Sequence, residues 1–225
     1  MDVDHQKKEG YNKMARFLKS SCKMSRRVGL DLNLKGIGGR NISSKCNLKV
    51  FPGQHGNKRK KIAGNYSLQL SAKQCVKYIY GVLEKQFFNY YKKSLKTKTN
   101  SGEMLLTLLE SRLDNIVYRM GFSITRAEAR QLVSHKSIIV SSSKTERIIN
   151  IPSYHVNVGD MIKINTTSKN QLRIQHSLRC AEKVGFAPWI NVDVKNMFGK
   201  YLRTPERKEL SSDLNEQLII EFYSK

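Results

Sequence analysis

Arg126 and Arg130 stand four residues apart in the stretch TRAEARQLVSHK (125–136), which closes on His135 and Lys136. A guanidinium is a planar fork able to bond two phosphate oxygens together, and an imidazole N–H or an ammonium adds a further donor to phosphate or ribose. Four residues on a helix is one turn, so the two arginines share a side. The chemistry such a group can do is to grip a phosphate backbone. A charge run is by itself also what an ordinary solvated helix face looks like, so its meaning depends on the elements that carry it.

Those elements read as two short helices joined by a glycine turn, spanning Arg112 to Lys136. In the first, Leu113, Ile116, Val117 and Met120 fall on one face, while Arg112, Asp114, Asn115 and Arg119 take the others. Gly121 sits where a left-handed C-terminal cap is wanted. Thr125 and Glu128 have capping-box spacing, which predicts that the hydroxyl accepts from the Glu128 amide and the carboxylate reaches back to the Thr125 amide. A second helix then starts at Arg126. Along it Ala129, Leu132 and Val133 face a core, and Arg126 and Arg130 share the exposed side.

Composition points the same way. Among 225 residues, Lys and Arg total 41 against 18 acidic residues, a formal net charge of +23, so the chain repels itself strongly unless a polyanion neutralises it. A hydrophobic content of 39% suits a folded chain with one core or two small ones rather than a fibre or a wholly disordered protein. Leu105 to Leu113, the longest apolar run, is interrupted by Glu110 and Arg112, so no membrane partner is expected. Cys22, Cys46, Cys75 and Cys180 are scattered, which argues against a disulfide framework and for a reducing compartment.

Residues 1–13 are polar, with Asp2, Asp4 and Glu9 among lysines, and read as a disordered extension rather than a secretory or transit leader. Residues 14–61 lack sustained periodicity. They carry Gly36, Gly38 and Gly39, a PGQHG turn (52–56) and the cluster Lys58, Arg59, Lys60, Lys61, and read as a basic arm that orders only against a partner. Ser71 and Gln74 have capping-box spacing ahead of an apolar and aromatic stripe, Cys75, Ile79, Val82, Leu83, Phe87, Tyr90 and Tyr91, which predicts a helix to about Leu95 with the aromatics in the core. Asn100 with Glu103 caps a further helix through Glu110. After Lys136 the period changes: Ile138 to Val140, Arg147 to Ile151 and Met161 to Ile164 predict a small antiparallel sheet. Gln171 to Val184 reads as a helix ended by Gly185. Trp189 to Val194 and Leu218 to Phe222 are strand-like, with irregular or helical packing as the alternative.

Beyond spacing, the chain resembles bacterial-type small-subunit ribosomal protein four (the S-four family) from about Met14 to Lys225. The resemblance is carried, in order, by MARFL at 14, SRRVG at 25, PGQHG at 52, YGVLEKQFFNYY at 80, RLDNIVYRMGF at 112, TRAEARQLVSHK at 125, NIPSY at 150, PER at 205 and the closing LIIEFYSK. The segment from Arg112 to Lys136 looks like the αL RNA-binding motif, which unrelated RNA enzymes also carry. The resemblance implies an α+β fold: a helical body (62–103 and 177–225), an αL RNA-binding domain of two short helices plus a small antiparallel sheet (104–176), and an extended basic N-terminal arm (14–61). It further implies a structural constituent of the small ribosomal subunit that binds the 5′ domain of small-subunit rRNA early in ribosome assembly. Beside ribosomal protein five, near the point where messenger enters, it would affect translational accuracy. Matching motifs place RNA contacts at Arg26, Arg27, Gln54, His55, Arg126, Arg130, His135 and Lys136, with Lys58, Arg59, Lys60 and Lys61 facing the messenger and Leu210 to Gln217 facing ribosomal protein five. For His55 the alternative is that it merely fixes its own turn.

The pattern is departed from in three places. Relatives that hold zinc in the arm use four cysteines, whereas here only Cys22 and Cys46 stand at such positions and Ser25 replaces a partner, so no metal and no cofactor is expected. The family's Asn-Gly hairpin turn is replaced by a longer polar turn, Ser141 to Glu146. The residues before Met14 lie outside the family pattern, and Met14 is an alternative start. Two rival functions compete. One is a pseudouridine-synthase-like enzyme in which Asp114 of the Arg-Leu-Asp triplet acts as the catalytic carboxylate. Against it, no separate domain remains to form a base-flipping pocket, so no catalytic residue is assigned. The other is a free-standing αL adaptor for stalled ribosomes. No homo-oligomer is expected, and the location implied is a ribosome in a bacterial cytoplasm or in an organelle with bacterial-type ribosomes.

Overall fold

A computed structural model of the chain describes residues 19–36, 42–57, 64–97, 100–142 and 145–224. The 1–13 extension, Met14, Gly38, Gly39 and the cluster Lys58, Arg59, Lys60, Lys61 lie outside the described residues. Along the chain run α1 (Ser21–Val28), α2 (Asn65–Tyr80), α3 (Glu84–Ser94), α4 (Ser101–Glu110), α5 (Leu113–Arg119), α6 (Arg126–Ser134), β1 (Ile138–Ser142), β2 (Thr145–Ile148), β3 (Met161–Ile164), α7 (Leu172–Val184), β4 (Ile190–Asp193), β5 (Phe198–Tyr201) and α8 (Glu216–Tyr223). The fold class is α+β, as the sequence predicts.

Glycines set several of the helix ends. Gly121 takes φ 76° after α5 and Gly185 takes φ 91° after α7, both where the sequence asks for a stop. The helix expected to run unbroken to Leu95 instead divides at Gly81, whose left-handed backbone (φ 61°) lets its amide donate back to Tyr78 at 3.2 Å. Its start also differs, because α2 begins at Asn65 and Ser71 lies within the helix, not at its cap. At α4 the expected cap is present: Asn100 Oδ1 accepts from the Gly102 amide at 3.0 Å.

Five strands form one antiparallel sheet in the order β2-β1-β3-β5-β4. Ile138, Val140, Ile162, Ile164 and Tyr201 alternate along their strands onto the buried face. β5 had no sequence signal, since FGKY is short and glycine-interrupted. The glycine is needed, because a Cβ on Gly199 would lie 2.7 Å from the Met120 sulfur. The β1–β2 ladder runs up to Ser142 opposite Thr145, so Ser141, Ser142, Thr145 and Glu146, expected in the turn, are strand residues; residues 143 and 144 lie outside the described residues, and β2 stops at Ile148. The apolar run Leu218 to Phe222 is part of the helix α8, not a strand. Asn215 Oδ1 caps it by accepting from Leu218 N at 3.4 Å, and Ile219 and Tyr223, one turn apart, pack on the body. A run of five apolar residues does not distinguish the two by periodicity.

One core joins helices to sheet: Leu105, Leu109, Leu113, Ile116, Met120, Leu132, Ile138, Ile162 and Ile219 are all at or below 1% exposed and belong to one continuous cluster. A smaller cluster, Met24, Leu32, Cys75 and Tyr78, seats α1 and the following loop on α2. The described part of the arm is therefore built onto the body, where the sequence predicted ordering only against a partner. Its composition hid this because a handful of apolar residues without period suffices to anchor it. The return of residues 42–57 over α1 also brings Cys22 and Cys46, 24 residues apart in sequence, into contact, with Cα atoms 6.4 Å apart.

Candidate nucleic-acid interface

The α5–Gly121–α6 unit is organised around two buried carboxylates. Glu110, at the end of α4, is 1% exposed, and Asp114, in the first turn of α5, is 3% exposed. A buried charge must be paired or it is lost to protonation. Glu110 accepts from Arg119 twice (Nη2 2.8 Å, Nε 3.1 Å), from the Asn115 amide at 2.6 Å and from the Tyr80 hydroxyl at 2.6 Å. Burial would raise its pKa, but the Arg119 charge and these bonds outweigh burial and hold it at about 2. Burial and the neighbouring Glu110 charge push the Tyr80 phenol far above its usual range, so it stays a donor.

Asp114 is shared between Arg112, a two-pronged partner at 3.0 and 2.7 Å, and Arg130, whose Nε and Nη2 reach it at 3.2 and 2.9 Å. Arg130 also donates through Nη1 to the Gly81 carbonyl at 2.9 Å, binding α6 to the α2–α3 junction. Arg126 donates from Nε to Asn115 Oδ1 at 2.8 Å and lies 4.4 Å from the Tyr118 ring centroid and 5.3 Å from that of Tyr80. The two arginines picked out by their spacing are thus half-buried and fixed, not free on an exposed side. Polar residues of the first turn of α5 are buried with them, since Arg112 at its N-cap and Asn115 are 2% and 1% exposed. Four guanidiniums against two carboxylates leave the cluster cationic. Fixing long side chains in advance removes an entropic cost that a ligand would otherwise meet on binding.

At the α6 start, Thr125 Oγ1 accepts from Glu128 N at 3.2 Å as expected, but the Glu128 carboxylate accepts from Ile124 N at 3.0 Å, not from Thr125 N. The chain at Gly36 passes so close that a Cβ there would lie 1.7 Å from the Ile124 carbonyl oxygen, which brings the arm to the N-terminus of α6. At the other end, His135 caps α6 and Lys136 follows in left-handed conformation (φ 60°), both exposed.

On the arm, Arg26 donates to the carbonyls of Val50 at 2.8 Å and Phe51 at 2.7 Å, so it braces the segment leading into PGQHG, while Arg27 is exposed. That turn is made by its glycines: Gly56 N donates to Gly53 O at 3.2 Å, Gly53 has φ 120°, and a Cβ on Gly56 would meet the Phe51 carbonyl oxygen at 2.1 Å. Gln54 and His55 project from it, exposed. Sequence reasoning missed Glu110, Asn115, Arg119 and the two tyrosines as parts of the site. A signal existed, since a lone acid closing the apolar helix LLTLLE demands partners.

Asp114 has no opening to a substrate base, being enclosed by Arg112 and Arg130. Among the described residues no three His, Cys, Asp or Glu side chains are grouped to hold a metal ion, and no helix is long and apolar enough to cross a membrane.

Comparison with known proteins extends the picture across nearly the whole chain. Residues 16–110 match the ribosomal protein S4/S9 N-terminal domain and residues 111–144 match the S4 domain. The chain is 52% identical over 212 residues to the small ribosomal subunit protein uS4 of Chromobacterium violaceum, 94% of this chain and 100% of that one. Over the same spans it is 54% identical to the uS4 protein of Hahella chejuensis and 49% identical to that of Neisseria meningitidis.

Proposed function

The chain belongs to the uS4 family of small ribosomal subunit proteins, a structural and not an enzymatic family, and from that premise we propose that it is a primary binder of the 5′ domain of small-subunit rRNA. The observation that carries the proposal is the cationic cluster whose half-buried members are Arg119, held by Glu110, Arg130, held by Asp114, and Arg126, held by Asn115 and the Tyr118 and Tyr80 rings. Helical RNA hides its base edges in a deep groove, so a junction of helices is recognised through shape, phosphates and sugar hydroxyls. A rigid set of guanidiniums matches that task. In this proposal Arg126, Arg130, His135 and Lys136 contact one segment of RNA, and Arg27, Gln54 and His55 contact another from the arm, with Arg26 both bracing the arm and reaching RNA. Lys58, Arg59, Lys60 and Lys61 face messenger, and Leu210 to Gln217 face ribosomal protein five, the arrangement through which the protein influences accuracy.

The test is a salt titration of the purified chain on a 5′-domain junction beside a plain RNA duplex of equal length. If about six to ten phosphates are engaged, affinity falls by roughly three to five orders of magnitude between about 50 and 200 mM salt. The junction keeps a large advantage throughout. Equal affinity for both RNAs at every salt concentration would leave only a polycation on phosphate and would sink the site assignment.

A further inference from the structure

We propose that the outward pole of α7, formed by His176, Arg179 and Lys183, is a second RNA-phosphate contact, facing away from the α5–α6 unit. The proposal rests on the rRNA-binding reading above and adds a surface that neither the αL helices nor the arm supplies.

The orientation of α7 is set by its inner face. Ile174, Ser177, Leu178 and Ala181 are buried, at 1 to 2% exposed. Ser177 Oγ donates to the Gly121 carbonyl at 2.8 Å, and a Cβ on Gly121 would lie 2.3 Å from that of Ala181. The helix therefore rests on the very turn that joins α5 to α6. At 100° per residue, the positions opposite this face are Leu172, His176, Arg179 and Lys183, spaced four, three and four apart. All four are exposed, and Leu172 is 81% exposed. The stripe from His176 to Lys183 is about 10 Å long at 1.5 Å per residue.

The stripe sets its cations in line on one rigid face with no carboxylate in ion-pair contact, the exposed Glu182 lying on its flank beside Lys183. Arg112, Arg119, Arg130, Arg203 and Arg207 are each closed onto a carboxylate. Among the described residues Arg179 and Lys183 have no hydrogen-bond or ion-pair partner, and His176 meets only the Cys180 sulfur, at 3.9 Å. Arg173 adds a flanking cation whose Nε is held by Gln171 Oε1 at 2.9 Å. Cations left unpaired in line on a rigid helix complement the regular negative charge of a nucleic-acid strand. Because the inner face of α7 rests on the Gly121 turn, this stripe points away from that turn and is a surface separate from Arg126 and Arg130.

The test compares the full chain with the double variant Arg179→Gln/Lys183→Gln on the 5′-domain RNA, by salt titration. The expected result is weaker binding with the slope of log affinity against log salt reduced by about two, one for each phosphate contact removed. In the unaltered chain, acetylation of lysines followed by mass spectrometry is expected to show Lys183 losing reactivity in proportion to RNA occupancy. A variant with unchanged affinity and slope, or a Lys183 as reactive in the complex as in the free chain, would overturn the proposal, leaving the stripe to solvent or to a protein neighbour. If the unaltered chain shows no preference for the junction, it is the function proposed above that fails, and the two failures are told apart.

Discussion

Replacing Arg119 with alanine strands Glu110. That carboxylate is 1% exposed, and Arg119 supplies two of its bonds and its nearest countercharge. Removing one member of a buried pair costs about 3–5 kcal/mol. The Arg119 side chain keeps 28% exposure, and Tyr80 and Asn115 still donate to Glu110, so the lower end, about 3 kcal/mol, is expected. For a chain of this size that is a fall in Tm of roughly 6–12 °C. The signature lies in the pH dependence. In the unaltered chain Glu110 titrates at about 2, so its contribution is fully present above the ordinary carboxylate range near 4.5 and is lost only as the pH falls toward 2. In the variant, burial acts without the guanidinium and drives the folded-state pKa upward. The penalty then applies at pH 7 and is relieved as the carboxyl takes up a proton. Denaturant melts at pH 7 and pH 5 should show the deficit narrowing at the lower pH. A deficit below about 1 kcal/mol at pH 7, or one identical at both pH values, would refute the assignment of Glu110 as a buried, Arg119-held anion.

Arg130→Ala should lower both RNA affinity and thermal stability, because it frees Asp114 and the Gly81 carbonyl as well as a phosphate donor; loss of affinity with an unchanged melt would remove its bracing role. Arg126→Lys keeps the charge but loses the fork between Tyr118 and Tyr80, and is expected to bind the 5′-domain RNA roughly ten-fold more weakly with an unchanged salt slope. Gly121→Ala meets both a left-handed backbone (φ 76°) and the Ala181 side chain 2.3 Å away, so a loss of about 2–4 kcal/mol in urea unfolding is expected. Acid titration of the unaltered chain should show stability holding down to about pH 4.5 and falling below it, since Glu84 and Glu110 are both held at about 2; a decline beginning near pH 6 would point to other groups.

What was legible in the sequence was local. Gly121, Gly185, Thr125 and Asn100 announce helix ends because a glycine's backbone freedom and a cap's side-chain oxygen act within a few residues. What was hidden depends on distance along the chain. Arg130 finds Gly81 and Arg126 lies on Tyr80, forty-six or more residues away, and no spacing rule reaches so far. The basic side of α6 reads from spacing as exposed and open to phosphate, whereas half of it is consumed in holding α5 and the α2–α3 junction together. Leu218 to Phe222 is open to either period, and the choice of helix is made by the α2 and α4 surfaces it lies on. The contact surface with RNA could be drawn from motifs, but which arginines also serve the fold could not.

The seating of α8 ties the first described helices to the last. Gln69 on α2 donates to Glu221 at 2.9 Å, Lys73 lies 4.2 Å from the Phe222 ring centroid, Tyr91 on α3 stacks at 4.7 Å on Tyr223, and Tyr223 donates to Glu84 at 2.7 Å. During synthesis, then, α2 and α3 emerge early but keep an apolar flank uncovered until residues 216–223 have left the tunnel. Contacts at such sequence separation form late and expose the waiting surface to chaperones and proteases. A chain stopped short of Glu216 would leave that flank bare, so quality control could read an interrupted product from its N-terminal half before the product could occupy a place on RNA.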